Sequence, residues 1–195
     1  AIVYKPGYHD VAKNYAGQLV VNKNETIYLY PGAIINARVK SASWDHGNNT
    51  TVCGRGAFID PRTSGENDPV GVNGDGIGAY MFAASLSNDV TLKGVKFLDA
   101  HCFNIGINTS KNFLVDGIKV LSSEISTDGI YLHGDTTYGT VQNCFFYVND
   151  NVFVLAGGSS SNGGIQFKNN IVGTGYAVFY PQATINKASF DGLDI

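Results

Sequence analysis

The sequence predicts an all-β chain wound as a solenoid of short parallel strands, a parallel β-helix. Three observations carry that prediction. The first is composition. Of 195 residues, 24 are Gly, 19 Asn and 22 Phe or Tyr, while glutamate is limited to Glu25, Glu66 and Glu124 against 13 aspartates. Good helix formers are scarce, and residues suited to strands and turns are plentiful. The second is an internal repeat. Leu92, Val115, Val141, Phe167 and Phe190 mark one phase at intervals of 23, 26, 26 and 23. A period in the twenties with two or three short strands per repeat belongs to a solenoid. The third is a Gly or Asn at a fixed place in each repeat, suited to a corner with left-handed backbone.

The elements follow in chain order. Thr26-Ile27-Tyr28-Leu29-Tyr30 runs into Pro31-Gly32-Ala33-Ile34-Ile35, and residues 51–56 run into Ala57-Phe58-Ile59; these are early coils. The stretch 60–73 is polar and holds Pro61 and Pro69. It is expected to be a long loop, a common place for contacts to substrate. Five similar segments come next, at 90–97, 113–120, 140–146, 166–172 and 189–195. Each alternates apolar and polar residues around the Gly or Asn. Strand-like runs at 103–107, 129–132, 152–155 and 176–180 lie between them. No alternating helices appear, which argues against a doubly wound α/β sheet. One β-helix domain over 1–195 is expected.

Composition also excludes partners. A net charge of −3 with no basic cluster gives a nucleic-acid partner no electrostatic support. No apolar stretch reaches about 18 residues, so no membrane span is expected. Cys53, Cys102 and Cys144 are odd in number and widely spaced, giving neither a disulfide framework nor a metal site. They are expected to pack as small buried apolar residues. No metal or cofactor is assigned. Sequons at Asn24, Asn48, Asn49 and Asn108, with an opening Ala1-Ile2-Val3 that fits a trimmed chain, point to a secreted glycoprotein.

On a β-helix, residues of one phase in adjacent coils stand one above another, about 4.8 Å apart. Asp128 in Ser126-Thr127-Asp128-Gly129-Ile130 precedes one strand. Asp150 in Asn149-Asp150-Asn151-Val152 precedes the next, 22 residues on. Both carboxyls are therefore expected on one face. A pair about 6.5–9.5 Å apart admits a water between an acid and a base, the inverting arrangement for glycosidic bonds. Neighbouring carboxylates also raise each other's pKa. The competing role is structural: an Asp at a strand edge caps backbone N–H groups. That role is assigned to Asp75, Asp116 and Asp191, each followed by Gly.

The segments 126–132 and 143–152 resemble the active-site region of pectin-lyase-like, right-handed parallel β-helix glycoside hydrolases. The nearer resemblance is to family 49, the dextranases and isopullulanases; polygalacturonases of family 28 are more distant. Lys5-Pro6-Gly7-Tyr8-His9-Asp10, residues 26–33 and the stretch 73–81 resemble the family 49 entry and a later strand. The resemblance implies that Asp128 is the aspartate of a Thr-Asp-Gly motif and that Asp150 is the general acid of an Asp-Asp cluster. Asn151 stands where that cluster continues with another aspartate, and Asn149 where it often begins. The Gly-His-Gly motif of family 28 would fall at Gly173-Thr174-Gly175, with Thr174 for the histidine. The Arg-x-Lys pair that would hold a substrate carboxylate is missing, which favours a neutral sugar.

Neutral sugars are held by aromatic platforms and uncharged hydrogen bonds. Tyr131 and His133 alternate on the strand after Asp128, so they share a face; Tyr176, Phe179, Tyr180, Trp44 and Tyr80 are further candidates. Asn149, Asn151, Tyr131, His133, Tyr176 and Tyr80 are therefore expected to bind substrate, and ring packing is the competing role of the aromatics. The leading expectation is a secreted, endo-acting, inverting hydrolase of a neutral α-glucan such as dextran or pullulan. In it, Asp150 protonates the leaving oxygen and Asp128 activates water. The alternatives are a non-catalytic carbohydrate-binding or adhesin-like β-helix, suggested by Asn151, and a polygalacturonase-like pectin hydrolase. A lyase or epimerase lacks its calcium cluster or basic residues. At about 24 residues per coil, seven or eight coils are expected. The sequence stops inside a repeating segment, so further coils or an assembly partner are expected to cover that end.

Overall fold

A computed structural model describes residues 1–11, 18–42, 47–61, 80–157, 162–182 and 184–195. Among them there is no helix. Each coil supplies three short strands. The first has β1 (Ile2–Tyr4), β2 (Gly7–Asp10) and β3 (Gln18–Val21); the second has β4 (Thr26–Leu29), β5 (Ala33–Asn36) and β6 (Arg38–Ser41). Next come β7 (Thr51–Gly54), β8 (Ala57–Ile59) and β9 (Tyr80–Ser85), then β10 (Thr91–Lys93), β11 (Lys96–Leu98) and β12 (Phe103–Asn108). The site lies on the two coils that follow. These are β13 (Leu114–Asp116), β14 (Lys119–Ser122) and β15 (Ile130–His133), and β16 (Thr140–Gln142), β17 (Phe145–Val148) and β18 (Phe153–Leu155). The described chain closes with β19 (Asn162–Thr174), β20 (Phe179–Pro181) and β21 (Ile185–Asp194).

Like strands stack in parallel on like, as the repeat requires. The first stack runs β1-β4-β7-β10-β13-β16 and the second β2-β5-β8-β11-β14-β17; β19 is long enough to join both. The third is a seven-stranded sheet, β3-β6-β9-β12-β15-β18-β20. The marker residues pair in register: Leu92 with Val115, Val115 with Val141, Val141 with Phe167, and Phe167 with Phe190. Leu92, Val115 and Val141 are fully buried, whereas Phe190, paired on one side, is 40% exposed. A second ladder of Ile35, Phe58, Phe97, Val120 and Phe146 faces it, with Phe58 and Phe97 stacked at 5.5 Å. The third sheet adds Val39, Phe82, Ile105, Ile130 and Phe153. Each such side chain, fully buried, contributes roughly 1.5–3 kcal/mol of transfer free energy.

The corners between the first two stacks take the predicted left-handed residues. Gly94, Gly117, Asn143, Asn169 and Gly192 have φ of 74°, 64°, 55°, 51° and 63°. At Gly94 a Cβ would also meet the Gly54 carbonyl oxygen at 2.5 Å, so glycine is needed twice over. The Asn corners add side-chain bonds between coils, such as Asn143 Nδ2 to Asp116 Oδ1 at 2.9 Å. Two expectations are corrected. Cys53 is not buried with Cys102 and Cys144. It follows inward Val52 by one residue and so takes the outward phase. The run 176–180 becomes strand only from Phe179, because Tyr176 donates its backbone N–H to Thr174 Oγ1 in a turn. Trp44, Asp75 and most of the stretches 60–73 and 73–81 lie outside the described residues.

Candidate functional site

The site forms at the corner between the second and third stacks and on the outer face of the third. Inward Ile105, Ile130 and Phe153 fix the phase through their Cα pairing. Two residues earlier in each coil stand Phe103, Asp128 and Asn151. Tyr80 continues this file, paired with Phe103. Asp128 is therefore stacked on Asn151 rather than on Asp150, which sits one residue out of phase. Backbone bonds hold the register: Gly129 N to Asn151 O at 2.9 Å and Asn104 N to Asp128 O at 3.0 Å.

Asn151 ties the two carboxylates together. Its backbone N–H donates to Asp128 Oδ1 at 3.0 Å and to Asp150 Oδ1 at 2.9 Å. Its side-chain Nδ2 donates to the same two oxygens, at 3.0 Å and 2.8 Å. Both oxygens thus lie within 3.0 Å of one nitrogen. They stand closer than the roughly 6.5 Å at which an inverting pair admits a water. The expected divergence does not occur at these atoms because a single amide clamps them. Asn151 Oδ1 is itself buried without a hydrogen-bond partner.

Burial separates the two aspartates. Asp128 is 4% exposed, and Asp150 is half-buried. Loss of water pushes the Asp128 carboxyl up to about 6; the bonds from Asn151 oppose this, and the charge of Asp150 adds to it. Asp128 in turn raises the hydroxyls of Tyr80 and Tyr131, although burial is the larger cause for each.

Beside this corner lies a groove of about 280 Å³ on strands β9, β12 and β15. The small outward residues Ala83 and Gly106 open it, and Ser85, Asn108 and His133 give it polar edges. One wall is aromatic, with Tyr80 and Phe103 stacked at 5.1 Å and Phe103 5.4 Å from Tyr131. The Tyr80 ring rests on Gly106, where a Cβ would meet it at 2.7 Å. A second wall is Tyr131 stacked on His133 at 6.3 Å. The Tyr131 hydroxyl donates to Gln182 Oε1 at 3.1 Å, two coils further on.

The structure thus gathers Tyr80, Tyr131 and His133 in one groove, with Asp128 and Asp150 at the adjoining corner. Asn149, Asn151 and Tyr176 are not in its lining, and neither are the two aspartates. The Asn149 amide instead braces the corner, donating Nδ2 to Ser123 O at 3.1 Å and its backbone N–H to Thr127 Oγ1 at 3.1 Å. Tyr176 is 76% exposed in the turn after Thr174. Thr174 spends its hydroxyl on the Asp150 carbonyl. Phe103 is a groove residue that sequence reasoning missed, although its phase matches Asp128. Also missed was a buried cluster further along the same corner. There Arg38 donates Nε and Nη2 to Asp60 Oδ1 at 3.2 and 3.1 Å, and Asp60 Oδ2 accepts the His101 N–H at 2.9 Å. Among the described residues, no group of three His, Cys, Asp or Glu side chains could hold a metal.

No protein-family model and no curated protein sequence matches the chain. Among solved structures it is similar to the family 28 exopolygalacturonase of Yersinia enterocolitica, with a TM-score of 0.57 at 12% identity. The match covers 98% of this chain and 59% of that one, so the chain spans about three fifths of its neighbour's length. The expected nearness to family 49 is not carried by this likeness. The chain is a parallel β-helix of the fold that also carries a family 28 exopolygalacturonase.

Proposed function

We propose that the chain hydrolyses glycosidic bonds of a neutral α-glucan, dextran or pullulan in type, held on the outer face of the third stack. The observation that carries this is the carboxylate pair shared by Asn151 beside an aromatic groove that has no Lys or Arg among the described residues of its lining. A carboxyl poised near 6 is a stronger base than an ordinary aspartate. At 4% exposure it can meet a water more readily than a sugar's linking oxygen. The pair works with one proton between its two carboxyls: in the reacting form Asp128 is charged and takes a proton from the attacking water, while Asp150 carries the pair's proton and gives it to the leaving oxygen as the C–O bond breaks. The clamp on the two Oδ1 atoms means that the product anomer, read by NMR, decides between inversion and retention.

A second reading, a sugar-binding β-helix without turnover, is favoured by that same clamp, since Asn151 occupies one oxygen of each carboxylate. Incubation with dextran, pullulan and polygalacturonate separates the readings. Reducing ends released from a glucan support the proposal. Release from polygalacturonate alone replaces the neutral substrate with an anionic one. Binding without release from any of the three makes the chain a binding module.

A further inference from the structure

We propose that the groove takes the end of a sugar chain and not an internal segment. This rests on the sugar-binding reading of the groove and replaces the endo-acting mode expected from sequence. The geometry is that of a corner closed on two adjoining sides. A polymer laid along the helix axis over Ala83 and Gly106 runs into Tyr131 and His133 on the following coil. A polymer laid across the strands runs into the stacked rings of Tyr80 and Phe103. Either course meets a wall of side chains after a short distance. The volume agrees. About 280 Å³ lies at the bottom of the range of roughly 300–1,000 Å³ that small-ligand sites span.

Gln182 braces the axial wall through one exposed hydrogen bond. Tyr131 stands on β15, and its hydroxyl is held by Gln182, just past β20, across the Val154 position of β18. The ring is thereby pinned at its far end as well as at its backbone. Contacts to Phe103 at 5.4 Å and His133 at 6.3 Å hold its faces. Without the Gln182 bond the ring could turn about its side-chain torsions, and the groove would lengthen toward Val154 and Tyr180, the next residues of its file. Gln182 is in this sense a specificity-determining residue that never touches the sugar.

Ring-shaped oligosaccharides have no end and test this directly. The Asp150→Asn protein, which should not consume ligand, is titrated calorimetrically with isomaltoheptaose and cycloisomaltoheptaose. Maltohexaose and α-cyclodextrin form a second pair. The linear member of at least one pair is expected to bind at least tenfold more tightly than its cyclic partner. Adding Gln182→Ala is expected to cut that preference to less than threefold by gaining affinity for the ring. Equal binding of linear and cyclic sugars by the parent overturns the chain-end mode and leaves the sugar groove standing. No binding of any of the four overturns both. An unchanged preference in the Gln182→Ala protein, with its melting temperature intact, overturns the role of Gln182.

Discussion

Asp128 is a carboxyl that the fold would rather keep neutral. Its pKa rises from 3.8 to about 6 on folding, so the folded chain holds this proton more tightly than the unfolded one. The resulting stabilisation is complete below the unfolded value and is lost as the pH rises through about 6. Above that, the buried charge costs on the order of 3 kcal/mol relative to an unperturbed aspartate. Asp128→Asn should therefore raise the melting temperature at pH 7.5, by the equivalent of about 2–3 kcal/mol, and leave it nearly unchanged at pH 4. Scanning calorimetry at both pH values checks this; a variant less stable at pH 7.5 would contradict it. Asn151 acts the other way on the same group, since its bonds favour the charged form. Asn151→Ala removes the Nδ2 donor and should move the Asp128 titration above 6, as read from the carboxyl carbon by NMR. The two aspartates could be found in the sequence because their spacing follows the coil. Their clamp could not, because 22 residues separate Asp128 from Asp150 while the register between the coils is 23. That one-residue difference puts an amide under Asp128. Phe103 stayed hidden because it reads as one more apolar strand residue until its phase is fixed.

The strands and corners were more legible than the site. Leu92, Val115, Val141 and Phe167 repeat because inward ladders demand apolar residues at one phase, and the structure pairs them as the intervals require. Strand β9 is legible only at its start, where the stretch 73–81 resembles a family strand, because Met81, Phe82, Ala83 and Ala84 are all buried and show no alternation. Strand β6 was missed for a different reason: its Arg38 and Lys40 disguise an inward Val39. The sequons at Asn24, Asn48 and Asn49 turn out to be corner residues. Asn24 Oδ1 accepts from Asn49 at 3.0 Å, and Asn48 Oδ1 accepts from the Asn88 backbone at 2.7 Å. At Asn24 and Asn49 a left-handed corner residue followed by a strand-opening Thr makes the N-x-T pattern. Corner glycines differ in what they protect. Gly117 has φ of 64° with nothing within 4 Å of a Cβ, so Gly117→Ala should cost only the left-handed strain of about 1–2 kcal/mol. Gly94→Ala adds a backbone clash at 2.5 Å and should cost clearly more. Urea unfolding of both variants ranks them; equal losses would mean that the contact at Gly94 relaxes freely.

Among the described residues, each strand pairs with those of the neighbouring coils, with the Tyr131–Gln182 bond as a longer reach, so stability is close to a sum of coil interfaces. Coils carrying β12 and β15 have a partner on both sides and a closed core, whereas Phe190 on β21 is exposed. Amide exchange should therefore be slowest in β12 and β15 and fastest in β1 and β21, as mass spectrometry or NMR would record. Uniform protection would point to a single cooperative unit in place of nearest-neighbour stacking. The solenoid also explains how a site arises on so plain a scaffold. Parallel stacking brings residues from distant parts of the chain, Tyr80, Phe103, Asp128 and Asn151, into one file at one corner. Whether this corner breaks glycosidic bonds is tested most directly by comparing parent, Asp128→Asn and Asp150→Asn for reducing-end release from dextran and pullulan. The parent should turn over at least one of the two, with activity falling as the pH rises through about 6, where the pair loses the proton it must donate, and each variant should lose at least a hundredfold in kcat. Parent-like turnover in both folded variants would contradict it.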